Sequence, residues 1–417
     1  MISPQEKGAL EAGWYVDRKI YTSDDIVQKE KERIFYKTWQ FACLTSEIKN
    51  PGDYFSLKII DQPIIIIRGN DNKLRAFYNA CTHRGAVLNN RPCGNEKVFQ
   101  CIYHAWTFNL KGDLIGVPYE KAYGPDFDKK KLALVPVRVD TFHDLVFITL
   151  NPNAPSLIEY LGEVAPHLAK YVQGIEVIGR NSWTYEGNWK LWHENFRDNY
   201  HPAFTHRGFQ DSIPHYAQRG GNWGFEPGHS MLQWIYGNHD GESFFRGMQR
   251  YSNIEFPKGD KIICEDPTPS EILAVFPNLD FQPGQQRDLG GGKMGTRDGF
   301  IQTAYPLGPN KARIDLVVYS STDDDPETRQ AALENKAGYI GSWGKTSADD
   351  TEAMARCQIG LHSLGTQFTP FARGIAPGKG GSTEEGIDGR DEYSLREYYR
   401  VYKQYLDREE PVAAAAE

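Results

Sequence analysis

The sequence predicts an α+β fold in which an all-β domain near the N terminus precedes a larger mixed domain. Between about residues 40 and 157, runs such as DYFSLKII and QPIIIIRG alternate with Gly, Pro, Asn and Asp at intervals of roughly ten residues, which is typical of an antiparallel sandwich or small barrel. Beyond residue 157, strand-like runs such as SEILAVFP are mixed with helical segments. A hydrophobic content of 40% over 417 residues is enough for two cores. We therefore predict three regions, 1–40, 41–157 and 158–417.

Two helices are predicted at the ends of the chain. Residues 23–36 (SDDIVQKEKERIFY) begin with the capping residues Ser23 and Asp24 and continue with spaced apolar residues. Near the C terminus, EYSLREYYRVYKQYL has aromatic and leucine residues at helical spacing. We expect those aromatic side chains to pack in the core rather than to bind a cofactor.

Composition excludes several classes of function. The chain carries 55 acidic and 47 basic side chains, a net charge of −8, and no long basic run, so an extended nucleic-acid or anionic-membrane surface is not expected. Its most apolar short stretch, Pro63–Ile67, is too short to cross a bilayer. The N terminus lacks an apolar core of signal-peptide length. Six cysteines, several beside histidines, indicate thiolates kept reduced for metal binding, and we expect a cytoplasmic protein.

The β-rich region contains a strict cysteine–histidine pattern. Cys81-x-His83 is followed after seventeen residues by Cys101-x-x-His104, so a hairpin can place the second pair opposite the first. A structural zinc site and a [2Fe–2S] cluster both use such donors. In a Rieske cluster two Cys bind one iron and two His bind the other, so each loop supplies one of each. The order found here favours the Rieske cluster over zinc.

A second group of metal-ligating residues lies in NWKLWHENFRDNYHPAFTH, residues 188–206. His201 and His206 are candidate imidazole ligands of non-haem iron, whose facial triad needs one further carboxylate. Asp198 lies three residues before His201, where it can hydrogen-bond that imidazole and fix its tautomer. We expect Pro202 to break the helix at His201 and so let both imidazoles converge.

The third iron ligand is predicted in KTSADDTEAMARCQIGL. Asp350 lies near one helical face with Met354, Cys357 and Leu361, whereas Asp349 is rotated by about 100°. Residues Ser347 to Asp350 also match a capping box, in which both acids would serve the first helical turn. Spacing alone does not decide between an iron ligand and a capping box. It also does not decide whether Asp349 or Asp350 is the third iron ligand.

The chain resembles the large (alpha) subunits of Rieske non-haem iron aromatic ring-hydroxylating oxygenases over nearly its whole length. Three motifs occur in family order: the C-x-H…C-x-x-H block, ENFRDNYHPAFTH at 194–206 and ADD…Q at 348–358. By resemblance, the ligands of the [2Fe–2S] cluster are Cys81, His83, Cys101 and His104. The ligands of the catalytic Fe(II) are, by resemblance, His201, His206 and Asp350.

The resemblance also implies an architecture and an assembly. Residues 41–157 would be the Rieske domain, inserted near the N terminus, and residues 158–417 the catalytic domain, with an antiparallel sheet, flanking helices and the first 40 residues packed on it. Asp198 matches the bridging aspartate that links His201 to His104 of the partner subunit. A cyclic homotrimer, with or without a small beta subunit, is therefore implied.

The implied activity is a terminal oxygenase that uses O₂ to hydroxylate an aromatic ring. Electrons from NADH would arrive through a separate ferredoxin or flavin reductase, because GGG at 290–292 lacks the frame of a dinucleotide-binding loop. Only Phe196 and Arg197 separate Asn195 from Asp198, a spacing that resembles the branch acting on aromatic carboxylic acids. The alternatives are a Rieske monooxygenase acting as a demethylase or on quaternary ammonium compounds, a Rieske electron carrier without catalytic iron, and a zinc-stabilised binding protein.

Overall fold

A computed structural model describes residues 15–206, 220–234, 270–284, 298–342, 344–374 and 391–408. The chain forms two compact units. The smaller unit comprises Phe35–Tyr160, and the larger one combines the N-terminal segment up to Ile34 with the chain from Leu161 onward. Sheets and helices in these units confirm the predicted α+β fold, while the predicted domain boundaries at 40/41 and 157/158 stay predictions. None of the helices in the described ranges combines the length and the apolar character needed to span a bilayer.

The strands of the smaller unit form two antiparallel sheets. Seven strands pair in the order β2-β11-β10-β5-β4-β3-β6, and three short strands pair as β7-β8-β9. The consecutive isoleucines Ile64–Ile67 are buried on β4, as expected for the centre of a sheet. The strands are β2 Gln40–Leu44, β3 Asp53–Ile59, β4 Gln62–Arg68, β5 Leu74–Tyr78, β6 Cys93–Asn95, β7 Phe99–Gln100, β8 Thr107–Phe108, β9 Leu114–Gly116, β10 Pro136–Phe142 and β11 Leu145–Thr149.

The larger unit is built on a seven-stranded antiparallel sheet in the order β12-β18-β17-β16-β15-β14-β13. A two-stranded sheet pairs β1 with β19 and so joins the N-terminal segment to the C-terminal part of this unit. The strands are β1 Tyr15–Asp17, β12 Ile175–Tyr185, β13 Gly220–Phe225, β14 His229–Trp234, β15 Ser270–Val275, β16 Leu279–Gln282, β17 Gly299–Gly308, β18 Lys311–Ser321 and β19 Phe368–Pro370.

Helices flank this sheet and carry the segments of chemical interest. The predicted N-terminal helix is confirmed as α2, although Ser23 makes no side-chain capping bond to it. The predicted C-terminal helix is confirmed as α9, whose tyrosines 398, 399 and 402 are buried. In the described part of the larger unit the α-helices are α1 Lys19–Thr22, α2 Asp24–Glu30, α4 Ala165–Ala169, α5 Trp189–Asn195, α6 Pro202–Thr205, α7 Pro326–Ile340, α8 Lys345–Leu361 and α9 Tyr393–Asp407, while α3 Leu157–Leu161 begins in the smaller unit.

A buried ion pair holds the N-terminal segment against α5. Lys190 Nζ donates to Glu30 Oε1 at 2.6 Å, and neither side chain is exposed to solvent. Trp189 Nε1 donates to the other carboxylate oxygen at 2.8 Å, and the Tyr402 hydroxyl also donates to Glu30. The acceptors of this carboxylate are thus occupied, which is the condition under which a buried charge pair is tolerated.

We expect Lys190→Met to destabilise the protein by about 3–5 kcal/mol, because it leaves the Glu30 carboxylate buried without its counter-charge. Urea unfolding followed by tryptophan fluorescence measures the loss. Lys311→Met is the matched control, since Lys311 pairs with Glu186 at the surface, where the side chains are 46% and 73% exposed. Equal midpoints for the two variants would contradict a stabilising role for the buried pair.

Candidate metal centres

The two cysteine–histidine loops of the smaller unit share one backbone hydrogen-bonding pattern. In the first, the N–H of Cys81 donates to the carbonyl five residues further on, and its carbonyl accepts from the N–H of Gly85, both at 2.8 Å. In the second, the N–H of Cys101 likewise donates to the carbonyl five residues on at 2.8 Å, and its carbonyl accepts from the N–H of Ala105 at 2.9 Å. Gly85 and Ala105 both adopt positive φ, at 72° and 55°. The loops are therefore structural equivalents, although their Cys–His spacings differ by one residue.

This pairing of loops brings the four predicted cluster ligands together. The β7–β8 hairpin carries the second loop, as predicted. The rings of His83 and His104 lie with their centroids 4.7 Å apart, and Trp106 stacks on the His83 ring at 4.7 Å and 8°. Cys81 and Cys101 are only 2% and 3% exposed, whereas both imidazoles are partly exposed. Two buried thiols and two imidazoles nearer the surface are thus presented side by side.

The surroundings of these donors suit an iron–sulfur cluster. Burial raises the pKa of the Cys81 thiol, while the backbone N–H groups of His83 and Arg84 act in the opposite direction and the adjacent Cys101 thiol raises it further. Amide groups directed at the sulfur stabilise a thiolate ligand. The buried Nδ1 of His104 has no hydrogen-bond partner within the described ranges, and a metal bond would satisfy it.

The second candidate centre begins where α5 ends. Trp192 of α5 donates to Gln302 of β17 at 3.1 Å, which fixes the helix on the sheet. After Asn195 the chain leaves helical geometry, and Pro202 opens the short helix α6. The prediction that Pro202 breaks the helix at His201 is wrong. His201 is itself αR (φ −61°, ψ −35°), and the break precedes it, because proline suits the first position of a helix, where no backbone donor is needed.

His201, His206 and Asp350 converge in the larger unit. Each offers a ligand atom within 4.8 Å of the others. Asp350 Oδ1 lies 3.5 Å from Nε2 of His201 and 3.2 Å from Nε2 of His206. This carboxylate oxygen is buried and makes no hydrogen bond of acceptable geometry within the described ranges. Two imidazoles and one carboxylate around a common point are the donor set of non-haem Fe(II), and a cation there would explain the unsatisfied oxygen.

Each of these histidines also has a second carboxylate at its other ring nitrogen. Asp198 Oδ2 lies 3.5 Å from Nδ1 of His201, and Asp349 Oδ2 lies 3.4 Å from Nδ1 of His206. Both contacts are long for hydrogen bonds, yet they are close enough to orient the rings. Asp198 is held in place locally, since its Oδ1 accepts from the N–H of Tyr200 at 2.6 Å.

The alternative capping interpretation of Ser347 is wrong. Helix α8 begins at Lys345 with Gly344 as its N-cap, so Ser347 lies inside the helix and its hydroxyl donates to the carbonyl of Ile340 at 2.8 Å. Asp350 is buried, while the Asp349 side chain is 51% exposed. Gln358, rather than Cys357, completes the buried face of the helix.

The charges within this group attract one another. Burial lowers the pKa of His201, but the carboxylates of Asp198 and Asp350 outweigh burial and raise that pKa to about 9. Burial raises the pKa of Asp350, but the two histidines outweigh it and lower that pKa to about 2. A proton held on the His201 imidazole would compete with a cation bound by the triad, and metal binding must release it.

Arg197 has a structural role that sequence reasoning did not identify. Its guanidinium is 1% exposed, donates to the carbonyl of Gly228 at 3.0 Å and lies 4.3 Å from the Tyr398 ring. Because Arg197 directly precedes Asp198, this buried side chain anchors the loop that presents the carboxylate. A loop arginine is ordinarily solvated, and nothing in the local sequence distinguishes this one.

Comparison with known protein families agrees with both centres. The family described as "Rieske [2Fe-2S] domain" matches residues 38–142. The family described as "Ring hydroxylating alpha subunit (catalytic domain)" matches residues 173–408. The chain therefore belongs to the alpha subunits of Rieske ring-hydroxylating oxygenases, and it is an oxygenase whose family uses an iron–sulfur cluster and a non-haem iron.

Individual relatives cover nearly the whole chain. The alpha subunit of 2-aminobenzenesulfonate 2,3-dioxygenase from Alcaligenes sp is 31% identical over 95% of this chain and 94% of its own length. An alpha subunit of terephthalate 1,2-dioxygenase from Comamonas sp is 28% identical over 94% and 95%, respectively. The crystal structure of naphthalene 1,2-dioxygenase from Rhodococcus sp. is similar with a TM-score of 0.81 and 25% identity, covering 99% of this chain and 100% of that one.

Proposed function

We propose that this chain is the terminal oxygenase component that hydroxylates the ring of an aromatic carboxylic acid, using O₂ and electrons from NADH. The observation that carries the proposal is the convergence of His201, His206 and Asp350 within 4.8 Å, in a chain that also pairs two Cys–His loops. An electron carrier needs only the loops, so the convergence favours an oxygenase over that alternative. A separate ferredoxin or flavin reductase would deliver the electrons, and we propose a cytoplasmic location.

The ligand roles follow from the donor sets. Cys81, His83, Cys101 and His104 would hold the [2Fe–2S] cluster, and His201, His206 and Asp350 would hold Fe(II). When bound, the cluster supplies electrons one at a time and the mononuclear iron supplies the chemistry of O₂ reduction at the substrate. Asp350 would contribute the negative charge of the triad, beside the imidazoles of His201 and His206.

Asp198 would serve the electron route. Its carboxylate faces Nδ1 of His201 at 3.5 Å, and its side chain keeps 26% exposure, so one face remains available to another chain. We propose that it bridges to His104 of the partner subunit in a homotrimer, with or without a small beta subunit. Exposed apolar side chains beside both metal-ligand groups support such an interface: Ile102 and Tyr103 are 90% and 59% exposed, and Phe204 is 62% exposed.

The proposed substrate class rests on the short Asn195–Asp198 spacing and on relatives that act on charged rings. Terephthalate is a dicarboxylate, and the relative acting on it is 28% identical. A sulfonated ring is the second candidate, because a 31% identical relative acts on 2-aminobenzenesulfonate. Either anion requires a cation or amide in the pocket. The arginines at positions 207, 219, 287 and 297 have the charge required for that role, and all four lie outside the described residues.

Product analysis with ¹⁸O₂ tests this proposal. The purified protein, supplied with NADH and a reconstituted ferredoxin–reductase pair, is offered benzoate, terephthalate, 2-aminobenzenesulfonate, benzene and carnitine. We expect substrate-dependent O₂ uptake with a ring carboxylate and ¹⁸O in a ring-hydroxylated product; two labelled atoms identify dioxygenation and one identifies monooxygenation. Oxidation of carnitine alone, or of the unsubstituted ring alone, would contradict the proposed substrate class.

A further inference from the structure

We propose that Gln358 and Asn188 are positioning residues for the mononuclear iron, because they fasten together the two helices that lead to its ligands. Helix α5 starts directly after Asn188 and leads to the loop that carries His201. Helix α8 carries both Asp350 and Gln358. The inference rests on the proposed function, since it presupposes that the triad holds iron.

Asn188 joins three parts of the larger unit. Its side-chain Oδ1 accepts from the N–H of Lys190 at 3.1 Å and so caps α5. Its Nδ2 donates to the carbonyl of Tyr21 at 3.2 Å and to the carbonyl of Pro309 at 2.9 Å. Its backbone N–H donates to Oε1 of Gln358 at 2.9 Å. The start of α5 is therefore bonded to the N-terminal segment, to the turn before β18 and to α8.

Gln358 completes the network from the side of α8. Its Nε2 donates to the carbonyl of Tyr21 at 3.1 Å and to Oδ1 of Asn310 at 2.7 Å, while its Oε1 accepts from Asn188. Gln358 is 4% exposed and Asn188 is fully buried. The carbonyl of Tyr21 thus accepts one hydrogen bond from Asn188 and one from Gln358. Fully satisfied buried networks of this kind are rigid and specify a single arrangement.

The geometry of α8 transmits this restraint to the iron ligand. Gln358 follows Asp350 by two steps of four residues, so both lie on the buried face of the helix, separated by about 12 Å along its axis. A rotation or shift of α8 relative to α5 moves the Asp350 carboxylate relative to His201 and His206. Metal and catalytic sites require their ligands within about 0.5 Å of the productive geometry. The side-chain amides therefore set a distance on which the triad depends.

A purely structural role makes a different prediction. If Gln358 contributes only to stability, its replacement lowers the melting temperature but leaves the affinity of the folded protein for Fe(II) unchanged. If it positions α8, the affinity falls even at temperatures where the variant is fully folded. The [2Fe–2S] cluster provides an internal control, because its proposed ligands all belong to the other unit.

The test measures Fe(II) binding to the mononuclear site of the full-length protein by chelator competition, at a temperature well below melting. Gln358→Leu removes both the hydrogen-bond donor and the acceptor of the side chain while keeping a similar volume. We expect Fe(II) binding to weaken by about tenfold or more, as for other residues that orient metal ligands. The spectrum of the [2Fe–2S] cluster should be unchanged. Gln358→Glu retains the acceptor for Asn188 and is expected to weaken binding less. Gln330→Leu on α7 is the matched control, since the Gln330 side chain lies partly exposed and, among the described residues, bonds to Glu334 of its own helix.

The outcomes separate this inference from the proposed function. Wild-type affinity in both Gln358 variants would overturn the positioning role while leaving the iron site intact. If Gln358→Leu does not fold, Gln358→Glu decides, and a Co(II)-substituted sample then reports a changed or unchanged ligand field through its visible bands. Failure of the wild-type protein to bind a mononuclear ion would instead overturn the proposed function.

Discussion

Asp350→Ala is expected to remove the mononuclear iron and abolish oxygenation while leaving the Rieske cluster in place. The carboxylate is buried, and one of its oxygens lies 3.2 and 3.5 Å from the two imidazoles, so its loss leaves two imidazole ligands and no negatively charged ligand for a divalent cation. Iron analysis should fall from about three to about two Fe per chain, with the visible spectrum of the cluster retained.

Two controls make the Asp350 experiment specific. Glu352→Gln alters an exposed acid on the same helix, which pairs with Arg356 one turn away, and should retain all the iron. Asp349→Asn tests the neighbouring carboxylate that faces His206 Nδ1, and we expect a smaller loss of affinity than for Asp350→Ala. Retention of the mononuclear iron in Asp350→Ala, with its loss in Asp349→Asn, would assign the third ligand to Asp349 instead.

Asp198→Asn is expected to retain both metal centres and to slow electron transfer from cluster to iron by about 10–100-fold. The amide oxygen can still accept from the N–H of Tyr200, so the loop conformation should persist. The negative charge that orients His201 and would bridge to His104 of the partner subunit is lost. Single-turnover oxidation of the chemically reduced cluster, followed by its absorbance in the presence of substrate and O₂, measures the rate.

The control for Asp198→Asn removes the same charge elsewhere. Asp407→Asn lies at the exposed end of α9 beside Lys403 and should oxidise its cluster at the wild-type rate. An Asp198→Asn rate within twofold of wild type, with full iron content, would rule out the proposed bridging role.

The local parts of both centres could be predicted because their geometry is set by nearby residues. Cys81 to His104 lie within one β-rich stretch, and alternation of one Cys and one His per loop distinguishes a Rieske cluster from most zinc sites. What spacing could not show is that Gly85 and Ala105 occupy equivalent left-handed positions in the two loops. That equivalence depends on the backbone hydrogen bonds formed within each loop.

Long-range placement could not be predicted from periodicity. From helical spacing, Ser347 to Asp350 could equally have been a capping box at the start of a helix. The structure excludes that interpretation because α8 begins earlier, at Lys345. The burial of Arg197 depends on Gly228 and Tyr398, which are remote in sequence. The predicted break at His201 was also wrong, since the helix is interrupted before that residue. The effect of Pro202 on the residue before it is a conformational preference, which tertiary contacts can override.

We propose that a single chain holds both a Rieske cluster and a mononuclear iron. Iron and acid-labile sulfide analysis of the purified protein, combined with visible and EPR spectra of the reduced form, tests it most directly. We predict about three Fe and two sulfides per chain with a Rieske EPR signal. Zinc in a colourless protein, or two Fe with no further Fe(II) bound on reconstitution, would contradict it.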